Sequence, residues 1–172
     1  MAILTIVTYP AEVLRKRTKS ITEFNEQALS SLVKNMTETM YDAPGVGLAA
    51  NQIGLSLRLA VIDAVWKQDN DKKELHVFIN PEIIEKEELI DFEEGCLSLP
   101  GMSGITKRYN KVTVRYQNLK GKEQTLSTKG LLAIALQHET DHLNGKLYVD
   151  HLSPIKRTIL LKRFKKLSAA KE

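Results

Sequence analysis

The sequence predicts an α+β fold: mostly antiparallel strands packed around a buried central helix that carries His-Glu-x-x-His, with a further helix at the C-terminus. Three observations predict it. Leu131-Leu132-Ala133-Ile134-Ala135-Leu136 is apolar on every side, so a helix there belongs inside the molecule rather than on its surface. The segments ahead of it are short, and the clearest of them alternates apolar and polar residues as a half-buried strand does. Behind it, Pro154 opens a helix with Ile155, Ile159, Leu160, Phe164 and Leu167 on one broad face. Several strands first and a buried helix late is the order of an α+β domain.

Taken from the N-terminus, Asn25 to Tyr41 reads as an amphipathic helix, because Leu29, Leu32, Val33, Met36 and Met40 fall at helical spacing. Asp42-Ala43-Pro44-Gly45 ends it, since proline cannot continue a helix and glycine tolerates a turn. Leu57 to Asp63 and His76 to Ile84 read as strands, joined by an exposed polar loop from Trp66 to Glu74. Lys111 to Tyr116 sets Val112, Val114 and Tyr116 against Thr113 and Arg115, which predicts a half-buried strand. A short strand follows over Glu123 to Ser127. The central helix starts near Gly130 and should end at Asn144-Gly145, where a left-handed cap fits.

With 172 residues the chain fits a single catalytic domain, 1–172, long enough to bury a core. It contains no internal repeat. A hydrophobic fraction of 42% with 27% charged residues argues against disorder. No run approaches a membrane span or a secretory leader, and one cysteine cannot form an internal disulfide, so a cytoplasmic protein with no membrane partner is expected. The net charge of +4 is unevenly placed. Residues 151–172 hold seven Lys or Arg and one acid, whereas the first 150 hold 18 basic and 20 acidic groups. The body is near neutral and the tail is basic. Such a tail is a solvated face or a dock for a polyanion such as RNA.

His138-Glu139-Thr140-Asp141-His142 lies in the central helix. Residues four apart share a helical face, so both imidazoles can reach one cation, and Glu139 stands beside them as a general base. The composition of the chain gives roughly 0.007 chance matches to this pattern, which weighs against two ordinary core histidines. A catalytic metal usually takes three protein ligands. Cys96, in Glu93-Glu94-Gly95-Cys96-Leu97-Ser98-Leu99-Pro100, is the candidate third, because glycine and proline bracket a tightly shaped segment there. His76 and His151 lack such a setting and read as ordinary. A thiolate with two imidazoles suits zinc or ferrous iron.

Gly45-Val46-Gly47-Leu48-Ala49-Ala50 imitates a dinucleotide fingerprint, and Asp63 follows 18 residues after Gly45. The context fails, because a helix precedes the glycines and no crossover helix fits before the next strand. The segment reads instead as a wall of the active site, with Gln52 turned inward or serving as an ordinary polar residue.

Together these segments resemble the peptide deformylases. The family's three motifs stand here in order as Gly45 to Gln52, Glu94 to Ser98 and His138 to Gly145, each matching at every fixed position. The resemblance runs from about Thr8 to the final helix and is to the bacterial form with a helical C-terminus. It implies removal of the N-formyl group from formyl-methionine of nascent polypeptides, releasing formate. It assigns Cys96, His138 and His142 as metal ligands, Glu139 as the base, and Gln52 with the Leu97 N–H as oxyanion donors. Val46, Gly47, Leu97, Ile134, Ala135 and His138 fall where the methionine pocket and substrate backbone would be met. It also makes Glu94 and Arg108 an ion pair. One divalent ion is implied: Fe2+ is the expected native metal, with Zn2+, Ni2+ or Co2+ as alternatives. Ribosome contact through the basic C-terminal helix is a further expectation; DNA is not a partner.

Departures lie at the pocket's edge. Gly101-Met102-Ser103-Gly104 lacks an arginine that some relatives place at the mouth, and Ala135 replaces a cysteine found in others. Asp141 reads either as orienting a ligand histidine or as a surface acid. Three rivals differ from this reading in testable ways. A zinc endopeptidase would draw its third ligand from beyond His142, a cysteine hydrolase would survive chelation, and an RNA-binding module would rest on residues 156–166 alone.

Overall fold

The computed structural model describes residues 2–69 and 71–171; Asn70, within the predicted polar loop, lies outside the described residues. Helix α1 (Glu26–Asp42) begins where Asn25 accepts the Ala28 N–H on its side chain, and it buries Leu29, Val33, Met36 and Met40. Each such burial is worth about 1.5–3 kcal/mol relative to exposure. Five strands follow, β1 (Gly47–Ala49), β2 (Leu59–Ile62), β3 (His76–Cys96), β4 (Leu99–Gln117) and β5 (Glu123–Lys129). They form one sheet in chain order, each pair antiparallel. Helix α2 (Leu131–Leu143) packs on the sheet with Ala133, Ala135 and Leu136 against Ile62, Phe78, Val112 and Val114. A short 3-10 turn, Tyr148–His151, leads to α3 (Pro154–Ala169). The antiparallel sheet, buried central helix and C-terminal helix are those expected from the sequence.

The largest departure is the β3–β4 hairpin, which runs well beyond the two strands expected, His76 to Ile84 and Lys111 to Tyr116. Residues 84–89 are exposed, so no apolar face stamps a period of two on Glu85-Lys86-Glu87-Glu88. Backbone pairing with β4 extends it instead, from Ile79 opposite Gln117 to Cys96 opposite Leu99. The register shifts between Ile79 and Glu82, where Asn80 takes φ 50°. Its side chain stabilises the bulge by accepting the Ile21 N–H and donating to the Ile21 carbonyl and Gln117 Oε1.

The broad apolar face expected on α3 is not buried as a whole. Leu160 and Phe164 are buried, the latter edge-on to Tyr9, while Ile155 and Ile159 are 75% and 63% exposed. At 100° per residue, Ile155 and Ile159 lie roughly 100–180° around the helix from the buried pair, too wide for one contact strip. Leu167, near the end, is also exposed. No helix among the described residues is long and apolar enough to cross a membrane.

Asp63 has no role of the kind a dinucleotide site would give it. It is fully buried, accepts a 2.7 Å hydrogen bond from the Tyr41 hydroxyl, and accepts the backbone N–H groups of Val65, Trp66 and Glu74. These donors hold its carboxyl below the usual range in spite of burial. The Asp63 carboxylate thereby shapes the segment after β2, whose Trp66 indole donates to the Gly45 carbonyl at 2.9 Å.

Candidate metal centre

Cys96 ends β3 at the tip of the hairpin, and His138 and His142 stand one turn apart on α2. The sheet packs on α2 so that these three side chains meet. Cys96 Sγ lies 3.2 Å from His142 Nε2, which lies 3.1 Å from His138 Nε2, and all three donor atoms fall within 4.8 Å of one another. A tetrahedral ion with metal–nitrogen bonds near 2.05 Å separates two nitrogens by about 3.3 Å, so the cluster has the dimensions of a three-ligand site. Burial alone would raise the Cys96 thiol, but His142 and His138 beside it bring its pKa down to about 5. A thiolate and two imidazoles therefore fit a divalent cation both in distance and in charge.

The two histidines are held from behind. Glu94 Oε1 lies 3.7 Å from His138 Nδ1. Arg108 donates to both Glu94 oxygens, at 3.0 and 2.6 Å, and to Asp141 Oδ2 at 2.7 Å. The Glu94 and Arg108 side chains are only 5% and 4% exposed, so this is a buried pair and not a surface one. Burial opposes the charge on Glu94, yet His138 and Arg108 hold it down to about 2. Asp141 does not orient a ligand histidine: it binds Arg108 and, at 2.7 Å, His151. The carboxylate behind His138 is Glu94. At the other ligand, Asn51 Nδ2 donates to the His142 carbonyl at 2.5 Å, and Tyr148 stacks on the His138 ring at 6.2 Å between centroids.

Beside the three ligands opens a cavity of about 610 Å3. Val46, Gly47, Leu97, Ile134, Ala135 and His138 all line it, with Gln52, Cys96 and Glu139; His142 does not. Glu139 is 4% exposed, and its Oε2 has no hydrogen-bond partner. Burial is the main cause that raises its pKa, against the lowering effect of the two histidines. Gln52 is almost wholly buried. Its Oε1 accepts the Ala49 N–H at 3.0 Å, which fixes the amide so that Nε2 faces Ser98 Oγ at 3.1 Å and Cys96 Sγ at 3.6 Å. The Leu97 side chain closes over Gly45, where an added Cβ would sit 2.7 Å from Leu97 Cδ1.

The fold as a whole is found in solved relatives. The chain matches the family model described as polypeptide deformylase over residues 3–158. It belongs to the peptide deformylase family. A peptide deformylase from Desulfotalea psychrophila is 52% identical over 96% of this chain and 97% of its own. The crystal structure of a peptide deformylase from Legionella pneumophila superposes with a TM-score of 0.90 at 48% identity, over 99% of this chain and 98% of the other. That of a peptide deformylase from Ehrlichia chaffeensis in complex with actinonin does so with a TM-score of 0.88 at 34% identity, over 96% and 98%. The sequence motifs marked Cys96, His138, His142 and Glu139, which the structure brings together. They left unmarked Asn51 and Tyr148, which act through one hydrogen bond and one ring face and follow no periodic pattern.

Proposed function

We propose that this peptide deformylase removes the formyl group from the N-terminal formyl-methionine of nascent polypeptides, with residues 1–172 acting as one cytoplasmic catalytic unit. The observation that carries the reading is Glu139: a buried carboxylate with an unpartnered oxygen, set beside a Cys96–His138–His142 donor cluster at the floor of a cavity. Cys96, His138 and His142 would hold one divalent ion, Fe2+ foremost and Zn2+, Ni2+ or Co2+ otherwise. When bound, that ion lowers the pKa of a coordinated water and draws electron density from the formyl oxygen.

Glu139 accepts a proton from the attacking water, a task suited to a carboxylate whose basicity burial has raised. As water adds to the formyl carbon, charge grows on the formyl oxygen. Gln52 Nε2, aimed by the Ala49 N–H, and the backbone N–H of Leu97 donate to it; such donors are worth about 2.7–4 kcal/mol each. Glu139 then gives its proton to the leaving amine, and the C–N bond breaks to yield formate and a free N-terminus. Val46, Ile134 and Ala135 supply an apolar seat for the methionine side chain, and the Gly47 backbone runs where an extended substrate can pair with it. The basic α3, with Ile155 and Ile159 exposed between its lysines and arginines, is the segment offered to the ribosome.

The test is formate release from a formyl-Met tripeptide by protein purified without oxygen and loaded with Fe2+ or Ni2+, against an acetyl-Met tripeptide. Release from the formyl peptide alone is expected. A folded, metal-loaded sample that releases none would overturn the reading.

A further inference from the structure

A second cavity, of about 560 Å3, lies behind α2. Thr140, Asp141 and Asn144 of the helix line it, on the side roughly opposite Ala135, His138 and Glu139. Its wall is cationic. Arg17, Arg58, Lys86 and Lys146 come from four separate segments, and none forms an ion pair among the described residues. The two carboxylates on the wall are already matched, Glu82 by Arg115 and Asp141 by Arg108 and His151. Arg58 is buried, Arg17, Lys86 and Lys146 are exposed, and none of the four has an ion-pair partner among the described residues.

Arg58 decides the matter. It is 7% exposed, yet its guanidinium meets only neutral oxygens, those of Leu143, Pro81 and the Asn144 side chain. Three N–H donors are used and two of the five have no partner. Burial, and then the charge of Arg17, weaken its hold on its proton. Thr140 Oγ1, on the same wall and also buried, has no partner either. A buried cation without an ion-pair partner is expensive, and the charge of Arg17 adds to the cost, offset in part by Glu82. The bonds to Leu143, Asn144 and Pro81 occupy three donors of Arg58 and leave two free.

We propose that this cavity is a second binding site, distinct from the metal centre, that takes a phosphate group. Several cations converging from different segments match an oxyanion with several acceptor oxygens and more than one charge, and two free guanidinium donors match its geometry. The phosphate comes either from a free oligophosphate or from an RNA backbone.

Calorimetric titration of tripolyphosphate into the full-length, metal-loaded enzyme tests the site. Saturable one-to-one binding is expected, weakened at least about tenfold by Arg17→Ala with Lys146→Ala, which removes two of the cations on the cavity wall. That variant keeps its melting temperature and its turnover of a formyl-Met tripeptide. Replacing Lys162, Arg163 and Lys166 of α3 by Ala leaves binding as it was. In a second arm, a single-stranded oligoribonucleotide that displaces tripolyphosphate identifies an RNA backbone as the source; no displacement identifies a free oligophosphate. Absence of saturable binding, binding indifferent to Arg17 and Lys146, or binding lost with the α3 charges would each overturn the proposal.

Discussion

The backbone of Gly47 passes so close to the Glu139 carboxylate that a methyl group on its Cα would overlap Glu139 Oε1 and stand 2.9 Å from Cδ. Strand β1 and helix α2 thus fix the position of the base between them, and the absence of a side chain at 47 is a steric requirement of the cavity.

Gly47→Ala should therefore displace Glu139 while leaving the hydrophobic clusters untouched. We expect kcat for a formyl peptide to fall by about 10²-fold, as misplacements near 1 Å do, with a melting temperature close to wild type. Unchanged kcat would show that Glu139 does not need its observed position.

Glu139→Gln keeps the shape of the side chain and removes its basicity. Turnover should fall by at least about 10²-fold. Metal content by elemental analysis should stay at the wild-type value, because Glu139 is outside the Cys96–His138–His142 cluster. An active variant would remove Glu139 from the chemistry.

Arg108→Met leaves two carboxylates, Glu94 and Asp141, without their common cation. Breaking a buried pair in this way costs about 3–5 kcal/mol, or roughly 6–20 °C in melting temperature at this size. Thermal denaturation of the metal-loaded enzyme measures it. A shift under about 2 °C would mean the triad contributes little.

Asp150 gives a prediction with a definite pH sign. Burial opposes its charge, but Arg15, the Leu147 N–H and Arg157 hold its pKa below the usual value, near 3.9 in an unfolded chain. The native state therefore releases this proton more readily than the unfolded state. The resulting stability is fully present above about pH 4 and is lost as pH falls through the folded value. Asp150→Asn should be destabilised by about 1–2 kcal/mol at pH 7, and denaturant midpoints of the two proteins should converge at lower pH. A gap that widened towards acid would contradict the assignment.

The legible parts of this molecule were those written as pattern. Leu29, Val33, Met36 and Met40 announced α1, the uniformly apolar run from Leu131 announced a buried helix, and His138-Glu139-x-x-His142 announced a metal pair. The outer hairpin was hidden because its residues face solvent on both sides, and only pairing with β4 makes Glu85 to Glu93 a strand. On α3 the apolar residues were visible but not which of them a neighbour would cover. The contacts behind the site were hidden for another reason: Asp141 is adjacent to His142 in sequence, yet Arg108 and His151 claim it, while Glu94, 44 positions before His138, stands behind that ring.

The first twenty residues carry a consequence for how this chain is made. Thr18 donates to the Leu143 carbonyl through both its N–H and its hydroxyl, Arg15 pairs with Asp150, and Gly145 lies directly against the Arg15 carbonyl. These partners are separated by 125 and 135 positions. Arg15 to Thr18 thus lack these partners until α2 and the turn after it have been synthesised and folded, whereas Leu4 and Val7 find theirs earlier, in Thr39 and Gln52. Loop closure over such a span comes late in folding. This short stretch stays open through most of the chain's own translation, and it settles only when Leu143 to Asp150 are available.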